Sequence, residues 1–384
     1  MIPEKQLTPL LPLQRELSAH FLERDEVVEG LLCALVAGQH VLLLGPPGTA
    51  KSELAHELCR RIDGARYFQW LLTRFTTPEE LFGPISLKGL EEDRYVRVTE
   101  GKLPRAHVAF LDEVFKASSS ILNTLLSVMN ERRFDGGDGP AEVPLCTLVG
   151  AANELPDDDE LGALYDRFLL RFQVEYVRED YRFLHLLGSR EPVSRATLPL
   201  AELEALRARA RSVEVPGVVL KDVAELRRLL ADRDIIASDR RWRQSIDLRR
   251  ARAALFGRTR VHCDDLDVLA HVLWTEPSER GVVEEGLRQL AHGHEDEAEK
   301  LLFQAREVAE GARGPHEDED EADRATVEAL AKLHDLSRKL EEILDAARGR
   351  GRAVERVGGF HEEVRGMIRT LLAEENPDHA EQRH

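Results

Sequence analysis

One stretch of this sequence combines a predicted buried strand with a loop that could hold phosphate. The apolar residues 41–44 lead into a turn rich in glycine and proline, and a helix-compatible segment follows. In such a loop, backbone N–H groups surround an anionic phosphate, a lysine supplies a cation and a serine hydroxyl can ligate Mg²⁺. The alternative is a surface turn rich in glycine and proline. The sequence favours nucleotide binding by the loop residues Gly45, Pro46, Pro47, Gly48, Thr49, Ala50, Lys51 and Ser52.

Position 50 departs from the common form of this loop, which has glycine directly before the lysine. A methyl group is tolerated there if the backbone is in the right-handed helical region, whereas a positive φ would favour glycine. We therefore expect Ala50 to adopt the right-handed helical conformation.

Three further polar side chains follow predicted strands. Asp112 and Glu113 come after four apolar residues that are typical of a strand buried on both faces, and Asn153 ends the apolar run 145–152. Ligands of open α/β sheets bind at the carboxyl ends of the strands. One carboxylate there can hold Mg²⁺, the other can orient an attacking water, and the amide can lie beside the terminal phosphate. A solvated strand end and a turn residue are the alternatives.

Apolar periodicity predicts the elements that must position these groups. Strands are expected at 40–44, 67–72, 107–111, 145–152 and 171–174, with a small inserted hairpin around 94–99. Helices are expected at 13–38, 53–62 and 118–130, and several more between 199 and 279. Beyond residue 281, long amphipathic helices flank an acidic connector at 315–321. These elements predict an α/β fold followed by helical units.

Length and composition indicate more than one domain. At 384 residues the chain exceeds one ordinary core, and we expect three parts. Residues 1–188 form an α/β nucleotide-binding domain, residues 189–280 an all-α domain after a linker around 188–195, and residues 281–384 an acidic helical extension. The extension carries −11 of the net charge of −18, which sets it apart from the rest of the chain.

Several classes of protein are disfavoured by the sequence. No apolar run approaches the 18 or so residues that cross a bilayer, and the first twenty residues lack the order of a signal peptide, so a cytoplasmic location without a membrane span is expected. The four cysteines form no C-x-x-C pair, which disfavours a disulfide framework or a zinc site. The net charge of −18 makes nucleic acid an unlikely principal partner.

In combination, these motifs resemble those of an AAA+ ATPase of the MoxR family, and most closely its RavA-type members. The resemblance covers roughly residues 10–280. It rests on LLGPPGTAKS at 43–52, LTRFTTPEELFGP at 72–84, FLDEVFKA at 110–117, ILNTLL at 121–126, NER at 130–132, ANELP at 152–156, ALYDRF at 163–168 and SDRRW at 238–242. RavA-type loops also carry alanine before the lysine. The resemblance implies a parallel-sheet core, an all-α lid and a C-terminal helical extension.

The resemblance also implies roles for individual residues. Lys51 and Ser52 match the phosphate-loop lysine and the Mg²⁺-ligating hydroxyl, Asp112 the Mg²⁺ carboxylate, Glu113 the base that activates water, and Asn153 the first sensor. Arg167 matches an arginine finger that reaches the nucleotide of the neighbouring subunit, and Arg240 matches the second sensor.

Two of these assignments have competitors. Arg171 competes with Arg167 because it lies four residues on and would share a helical face if the helix continues. Arg241 competes with Arg240 by adjacency. A surface salt bridge is the alternative role for any of these arginines.

A finger supplied by a neighbour implies a ring, usually a hexamer in this family. The expected activity is Mg²⁺-dependent hydrolysis of the ATP phosphoanhydride bond, coupled to chaperone-like remodelling of a protein partner, which can carry a von Willebrand A domain. The hairpin around residues 94–99 resembles the insertion that marks the clade. A nucleic-acid motor and a nucleotide-gated scaffold with little turnover are the alternatives. Strongly salt-dependent DNA binding would favour the motor, and turnover unaffected by Glu113→Gln would contradict the assigned base.

Overall fold

The computed structural model describes residues 8–156, 159–188, 196–314, 319–350, 352 and 354–375. The predicted linker around residues 188–195 and the predicted connector at 315–321 lie mostly outside these residues. The described part forms two compact units. The first contains the described residues up to Pro216 together with Asp234–Val261 and Asp265–Val283, and the second contains Gly217–Arg233, His262–Asp264 and the described residues from Glu284 onward.

The strands of the first unit are β1 Val41–Leu44, β2 Ile62–Asp63, β3 Tyr67–Leu71, β4 Val108–Asp112, β5 Arg133–Asp135, β6 Pro140–Glu142, β7 Thr147–Ala152, β8 Leu170–Gln173 and β9 Leu198–Pro199. Five of them form a parallel sheet in the order β3-β4-β7-β1-β8. All four residues of β1 and all six of β7 are buried, as expected for strands covered on both faces. The predicted α/β fold with a parallel-sheet core is confirmed.

Strand register brings the polar strand ends to one edge of this sheet. Leu44 at the end of β1 pairs with Ala152 of β7, so the phosphate loop and Asn153 leave the sheet at the same level. Leu111 of β4 pairs with Gly150 of β7, which places Asp112 at that edge as well. Backbone pairing alone therefore gathers groups that are far apart in the sequence.

The helices are α1 Leu10–His20, α2 Asp25–Ala37, α3 Lys51–Arg60, α4 Pro78–Phe82, α5 Leu87–Glu91, α6 Ser119–Glu131, α7 Asp159–Tyr165, α8 Asp180–Gly188, α9 Leu200–Arg211, α10 Gly217–Ala231, α11 Asp239–Leu255, α12 Arg280–Ala312, α13 Glu319–Gly349 and α14 Glu355–Glu375. Within the first unit, α2, α9 and α11 pack against one another. No helix in the described ranges is long and apolar enough to cross a membrane.

Two predicted elements near the sheet are wrong. The single helix expected at 13–38 is two helices, because the chain turns at Glu23, whose φ is 59°. The apolar spacing continues through this turn, so periodicity did not reveal it. The hairpin expected around 94–99 has no regular strand. A single antiparallel bridge between Ile85 and Arg97 closes a loop that contains α5.

In the second unit, α12, α13 and α14 share one hydrophobic core. Its buried members include Leu302, Leu333, Leu340, Val364 and Ile368. Ion pairs between α12 and α14, such as Arg306 with Glu363 at 2.7 Å, lie outside this core. The long amphipathic helices of the sequence therefore bury their apolar stripes against one another, as helices with one apolar face must.

Helix α10 belongs to the same unit. Its buried Asp222 lies 3.2 Å from the guanidinium of Arg352, and Leu226 and Leu230 lie beside Gly286 of α12. The predicted domain boundary at residue 280 assigns α10 to the second domain and its partners Gly286 and Arg352 to the third. The three-domain division stays a prediction.

Candidate active site

The phosphate loop begins where the chain is most constrained sterically. Gly45 has a φ of 152°, and a β-carbon built on it would lie 1.9 Å from the carbonyl oxygen of Val174. The Gly45 N–H donates to the carbonyl of Ala152 at 3.0 Å. Only glycine fits this approach, because any side chain would collide with a neighbouring backbone. The start of the loop therefore packs between the last residue of β7 and the residue that follows β8.

Ala50 adopts a left-handed conformation, with φ 61° and ψ 24°, so the expected right-handed geometry is wrong. Its carbonyl already accepts the first helical hydrogen bond of α3, from the N–H of Leu54 at 3.0 Å. A non-glycine residue in this region carries a cost of about 1–2 kcal/mol. The loop must turn sharply into α3, and the surrounding structure holds the strained conformation.

Lys51 directs its ammonium group back onto the loop. Its Nζ donates to the carbonyl of Gly45 at 2.7 Å and to that of Pro46 at 2.8 Å. Burial lowers the pKa of Lys51, and the nearby carboxylates of Asp112 and Glu113 partly oppose that shift. The half-buried Ser52 follows in the first turn of α3. The structure thus brings the loop cation close to the carboxylates at the end of β4.

Glu113 is held in a defined position at the end of β4. Its φ is 53°, and its N–H donates to Oδ1 of Asp112 at 3.0 Å. Its Oε1 accepts a hydrogen bond from Nδ2 of Asn153 at 2.9 Å, and its Oε2 lies 3.3 Å from Nζ of Lys116. The structure therefore brings Glu113 and Asn153 together, although forty residues separate them in the sequence.

A cavity of about 620 Å³ opens beside this carboxylate. Glu113, Asn153, Lys116 and Arg74 contribute polar groups to its lining, and Phe115 contributes an apolar wall. Sequence reasoning missed Lys116 and Arg74. The spacing of Lys116, three residues after Glu113, was the signal that could have found the first of them. The cavity is large enough for a small ligand group or a side chain of another molecule to reach Glu113.

The two candidate finger arginines occupy different environments. Arg167 follows α7, and its side chain retains 24% of its exposure. Arg171 lies on β8 rather than on a continued helix, is 1% exposed and stacks on the ring of Tyr165 at 3.7 Å. Its guanidinium donates to the carbonyls of Trp274 at 2.6 Å and Tyr165 at 3.2 Å. The expected shared helical face does not exist.

The adjacent arginines of α11 differ in the same way. Arg240 keeps 31% of its side-chain exposure and donates to Oδ1 of Asn130 at 3.1 Å. Arg241 is 2% exposed and donates to the carbonyls of Phe168, Val272 and Trp274. Burial lowers the pKa of Arg241, and Asp166 opposes that shift. Of this pair, Arg240 has the more accessible guanidinium.

Asp166 is a site residue that the sequence analysis did not single out. Its carboxylate lies 3.2 Å from Arg241, 3.6 Å from Arg240 and 3.9 Å from Arg167. Its position directly before Arg167 was visible in the sequence, but the two partners from α11 were not. One carboxylate thus joins the two candidate catalytic arginines.

The parallel sheet, with the phosphate loop and the polar strand ends at its carboxyl edge, defines a P-loop nucleotide-binding domain. Residues 9–196 match the profile of the MoxR domain in the MoxR-vWA-beta-propeller ternary systems, and residues 218–287 match an AAA lid domain. Together these matches cover more than half of the chain, which belongs to the MoxR family of AAA+ ATPases. The predicted family is confirmed, whereas the RavA-type assignment stays a prediction.

Individual relatives agree with this placement. An uncharacterized protein of Methanocaldococcus jannaschii is 42% identical over 266 residues, which cover 69% of this chain and 70% of the relative. The chaperone MoxR1 of Mycobacterium tuberculosis is 29% identical over 191 residues, which cover 48% of this chain and 49% of that protein. The crystal structure of a Cytophaga hutchinsonii protein assigned as an ATPase aligns with a TM-score of 0.59 at 18% identity, covering 73% of this chain and 93% of that one. This last likeness concerns the fold.

Proposed function

We propose that this protein is an ATPase that uses Mg²⁺ to hydrolyse the terminal phosphoanhydride bond of ATP. The observation that carries the proposal is the carboxylate of Glu113, which accepts a hydrogen bond from Asn153 at 2.9 Å. It lies at the sheet edge where the phosphate loop and Asp112 also lie. A general base, a polar amide and a phosphate cradle at one edge are the components that phosphoryl transfer to water requires.

The loop residues 45–52 would bind the phosphates. The ammonium group of Lys51 is already bound by two loop carbonyls, and a phosphate would replace them as its partner. The Ser52 hydroxyl and the Asp112 carboxylate are oxygen donors of the kind that Mg²⁺ prefers, so these residues fit the ion. When bound, Mg²⁺ would neutralise negative charge on the phosphate oxygens.

Glu113 would orient the attacking water and accept its proton. Asn153 would hold the Glu113 carboxylate and sense the terminal phosphate. Lys116 lies 3.3 Å from the other carboxylate oxygen, Oε2, so both oxygens of Glu113 have a polar neighbour. These roles follow the chemistry of the side chains and their contacts.

We further propose that the active form is a ring, expected to be a hexamer, in which Arg167 reaches the nucleotide of the neighbouring subunit. The partial exposure of Arg167 and the burial of Arg171 support this choice of finger. Arg240 would serve as the second sensor, which the burial of Arg241 supports. A finger cation stabilises the charge that develops in the transition state.

The proposed work of the ring is chaperone-like remodelling of a protein partner that carries a von Willebrand A domain. The description of the matched MoxR profile and the chaperone name of the mycobacterial relative support this proposal. The RavA-type assignment and a cytoplasmic location stay predictions.

The test of the ATPase compares the wild-type protein with Glu113→Gln. We expect Mg²⁺-dependent phosphate release by the wild type and a decrease of about 10²-fold or more in kcat for the variant, with ATP binding retained. Unchanged turnover in the variant would contradict the assignment of the base. Absence of turnover in the wild type, at any protein concentration and with ATP bound, would favour the nucleotide-gated scaffold.

The same variant can identify the partner. Glu113→Gln in the presence of ATP should hold the ring and its client together, because binding is retained while hydrolysis is blocked. A protein with a von Willebrand A domain from the same genome should co-elute with this variant in ATP and not in its absence. Co-elution that is independent of ATP would contradict a nucleotide-driven partner interaction.

We also propose that the helices beyond residue 281 dock a partner. Their net charge of −11 and their own hydrophobic core support a separate surface. Deleting residues 281–384 should abolish partner recruitment while ATP binding persists. That deletion also removes Arg352, the ion-pair partner of the buried Asp222, and an unpaired buried carboxylate destabilises a fold. The matched control for misfolding is therefore the same truncated chain with Asp222→Asn, which removes the unpaired charge. Loss of ATP binding in both truncated chains would instead make these helices part of the nucleotide-binding core.

A further inference from the structure

Asp166 occupies a junction between the two arginines proposed to act on nucleotide. It is the first residue after α7, its N–H donates to the carbonyl of Gly162 at 2.9 Å, and its side chain is 35% exposed. Its Oδ1 lies 3.2 Å from Nε of Arg241. Its Oδ2 lies 3.6 Å from Nη1 of Arg240 and 3.9 Å from Nη1 of Arg167.

The buried partner gives this junction its rigidity. The two terminal nitrogens of Arg241 donate to the carbonyl oxygens of Phe168, Val272 and Trp274, at distances of 2.8–3.2 Å. A guanidinium with several fixed acceptors keeps one orientation, because its donors form a planar fork. Arg241 therefore presents a fixed positive charge to Oδ1 of Asp166 through an ion pair, while Oδ2 lies nearest the two accessible arginines.

Charge explains why a carboxylate is needed at this place. Arg167 and Arg240 both approach the same oxygen within 4.0 Å. Two like charges near each other repel, and an opposite charge between them offsets that repulsion. In addition, Nε of Arg167 is buried without a hydrogen-bond partner among the described residues, so no hydrogen bond at this atom helps to fix the side chain. Removing the charge of Asp166 would leave Arg167 free to move away from Arg240.

We propose that Asp166 is a positioning residue that holds Arg167 in the orientation from which it reaches the neighbouring subunit's nucleotide, with Arg240 and Arg241 of α11 as its anchors. The inference rests on the proposed function, since it takes Arg167 to be the finger. Asp166 touches no substrate in this role. It acts through Arg167 and thereby makes the finger dependent on the placement of α11.

The first measurement separates kcat from KM. Asp166→Asn is expected to lower kcat by up to about 10²-fold, because a displacement near 1 Å of a catalytic group can cost that much. The KM for ATP should stay within about twofold, because Asp166 lies outside the phosphate loop. Asp166→Glu keeps the charge and should recover most of the lost kcat. The matched control is Asp247→Asn on α11, whose ion pair with Arg250 at 3.4 Å is exposed, and its kcat should equal that of the wild type.

The decisive measurement mixes variants within one ring. A subunit with Asp166→Asn has an intact phosphate loop and base but a misplaced finger, whereas a subunit with Glu113→Gln has an intact finger and no base. Mixing the two should restore turnover, because each Asp166→Asn site beside a Glu113→Gln subunit receives a correctly held Arg167. A variant that is merely unstable would gain nothing from such mixing.

The Arg167→Ala variant, mixed in the same way with Glu113→Gln, separates the two proposals. Recovery with Arg167→Ala but not with Asp166→Asn would overturn the positioning role and leave the ring ATPase intact. No recovery with Arg167→Ala would contradict the shared finger itself, and the inference about Asp166 would fall with it. If Asp166→Asn does not fold, Asp166→Glu and Asp166→Ser replace it in these measurements. An unchanged kcat for Asp166→Glu would support the positioning role of Asp166. A wild-type kcat for Asp166→Ser would overturn it.

Discussion

The phosphate-loop edge and the arginine cluster are both parts of the first unit, yet they are assembled by different forces. At the edge, Asp112 ends β4, Asn153 follows β7 and the loop that carries Lys51 follows β1, and the parallel register aligns these strand ends. In the cluster, Arg167 and Arg240 come from separate helical regions and meet through one carboxylate. Backbone hydrogen bonding positions the first group, and side-chain ion pairs position the second.

The difference also governs which neighbours in the sequence are accessible. At the edge, Asp112 and Glu113 are both half-buried and both border the site. In the cluster, the adjacent Arg240 and Arg241 have opposite surroundings, because successive residues of a helix face different directions. A motif that names both arginines therefore does not say which one can meet a ligand.

The largest effect is expected for the finger. Arg167→Ala should lower kcat by about 10³-fold or more, because the transition-state charge loses its cation. Arg171→Met should leave a correctly folded fraction with near wild-type kcat, since its donors bind the carbonyls of Trp274 and Tyr165 rather than a ligand. Its cost should appear in thermal unfolding. Steady-state phosphate release and the Tm of each variant are the measurements, and a reversed pattern would move the finger to Arg171.

A smaller effect should distinguish the two arginines of α11. Arg241→Gln should lower the free energy of unfolding by about 3 kcal/mol, because three buried carbonyls lose a charged donor. Arg240→Gln should leave stability within about 0.5 kcal/mol and lower kcat instead, because its guanidinium is partly exposed. Denaturant unfolding and turnover measured on both variants test this. Equal losses of stability would remove the contrast between them.

The smallest effect concerns strain in the phosphate loop. Ala50→Gly should raise the free energy of unfolding by about 1 kcal/mol, since glycine adopts a φ near 61° without a steric penalty. The control is the reverse exchange, Gly162→Ala in helix α7, where an added β-carbon would meet open space. A stability gain there would reflect helix propensity and not strain. No change for Ala50→Gly would mean that the strain relieved does not exceed the entropy that glycine adds to the unfolded chain.

Much of the edge could be predicted from the sequence. The strand expected at 145–152 is observed at 147–152, and the helix expected at 53–62 is observed at 51–60. The rule that strand ends share one edge placed Glu113 and Asn153 at that edge, and the structure added their hydrogen bond. The conformation of Ala50 could not be predicted, because local propensity favours right-handed geometry for alanine. The surrounding loop and the start of α3 overrode that preference.

The break between α1 and α2 and the irregular loop around α5 were also missed. Leu17, Phe21 and Val28 keep helical spacing across the turn at Glu23, so the pattern looks continuous although the backbone is not. Around α5, alternating Val96 and Val98 suggested a strand, but only one bridge forms between Ile85 and Arg97. Short segments depend on their partners, and partners are set by tertiary contacts.

The sequence by itself determined the parallel-sheet core, the phosphate loop, the two carboxylates at the end of β4 and the family to which the chain belongs. Each of these can be recognised from short stretches of residues that are close together in the chain. Only the tertiary structure decided the environments of the arginines and the place of Asp166 between them. Ion pairs of this kind arise when elements far apart in the chain pack together, and no spacing within a motif specifies them.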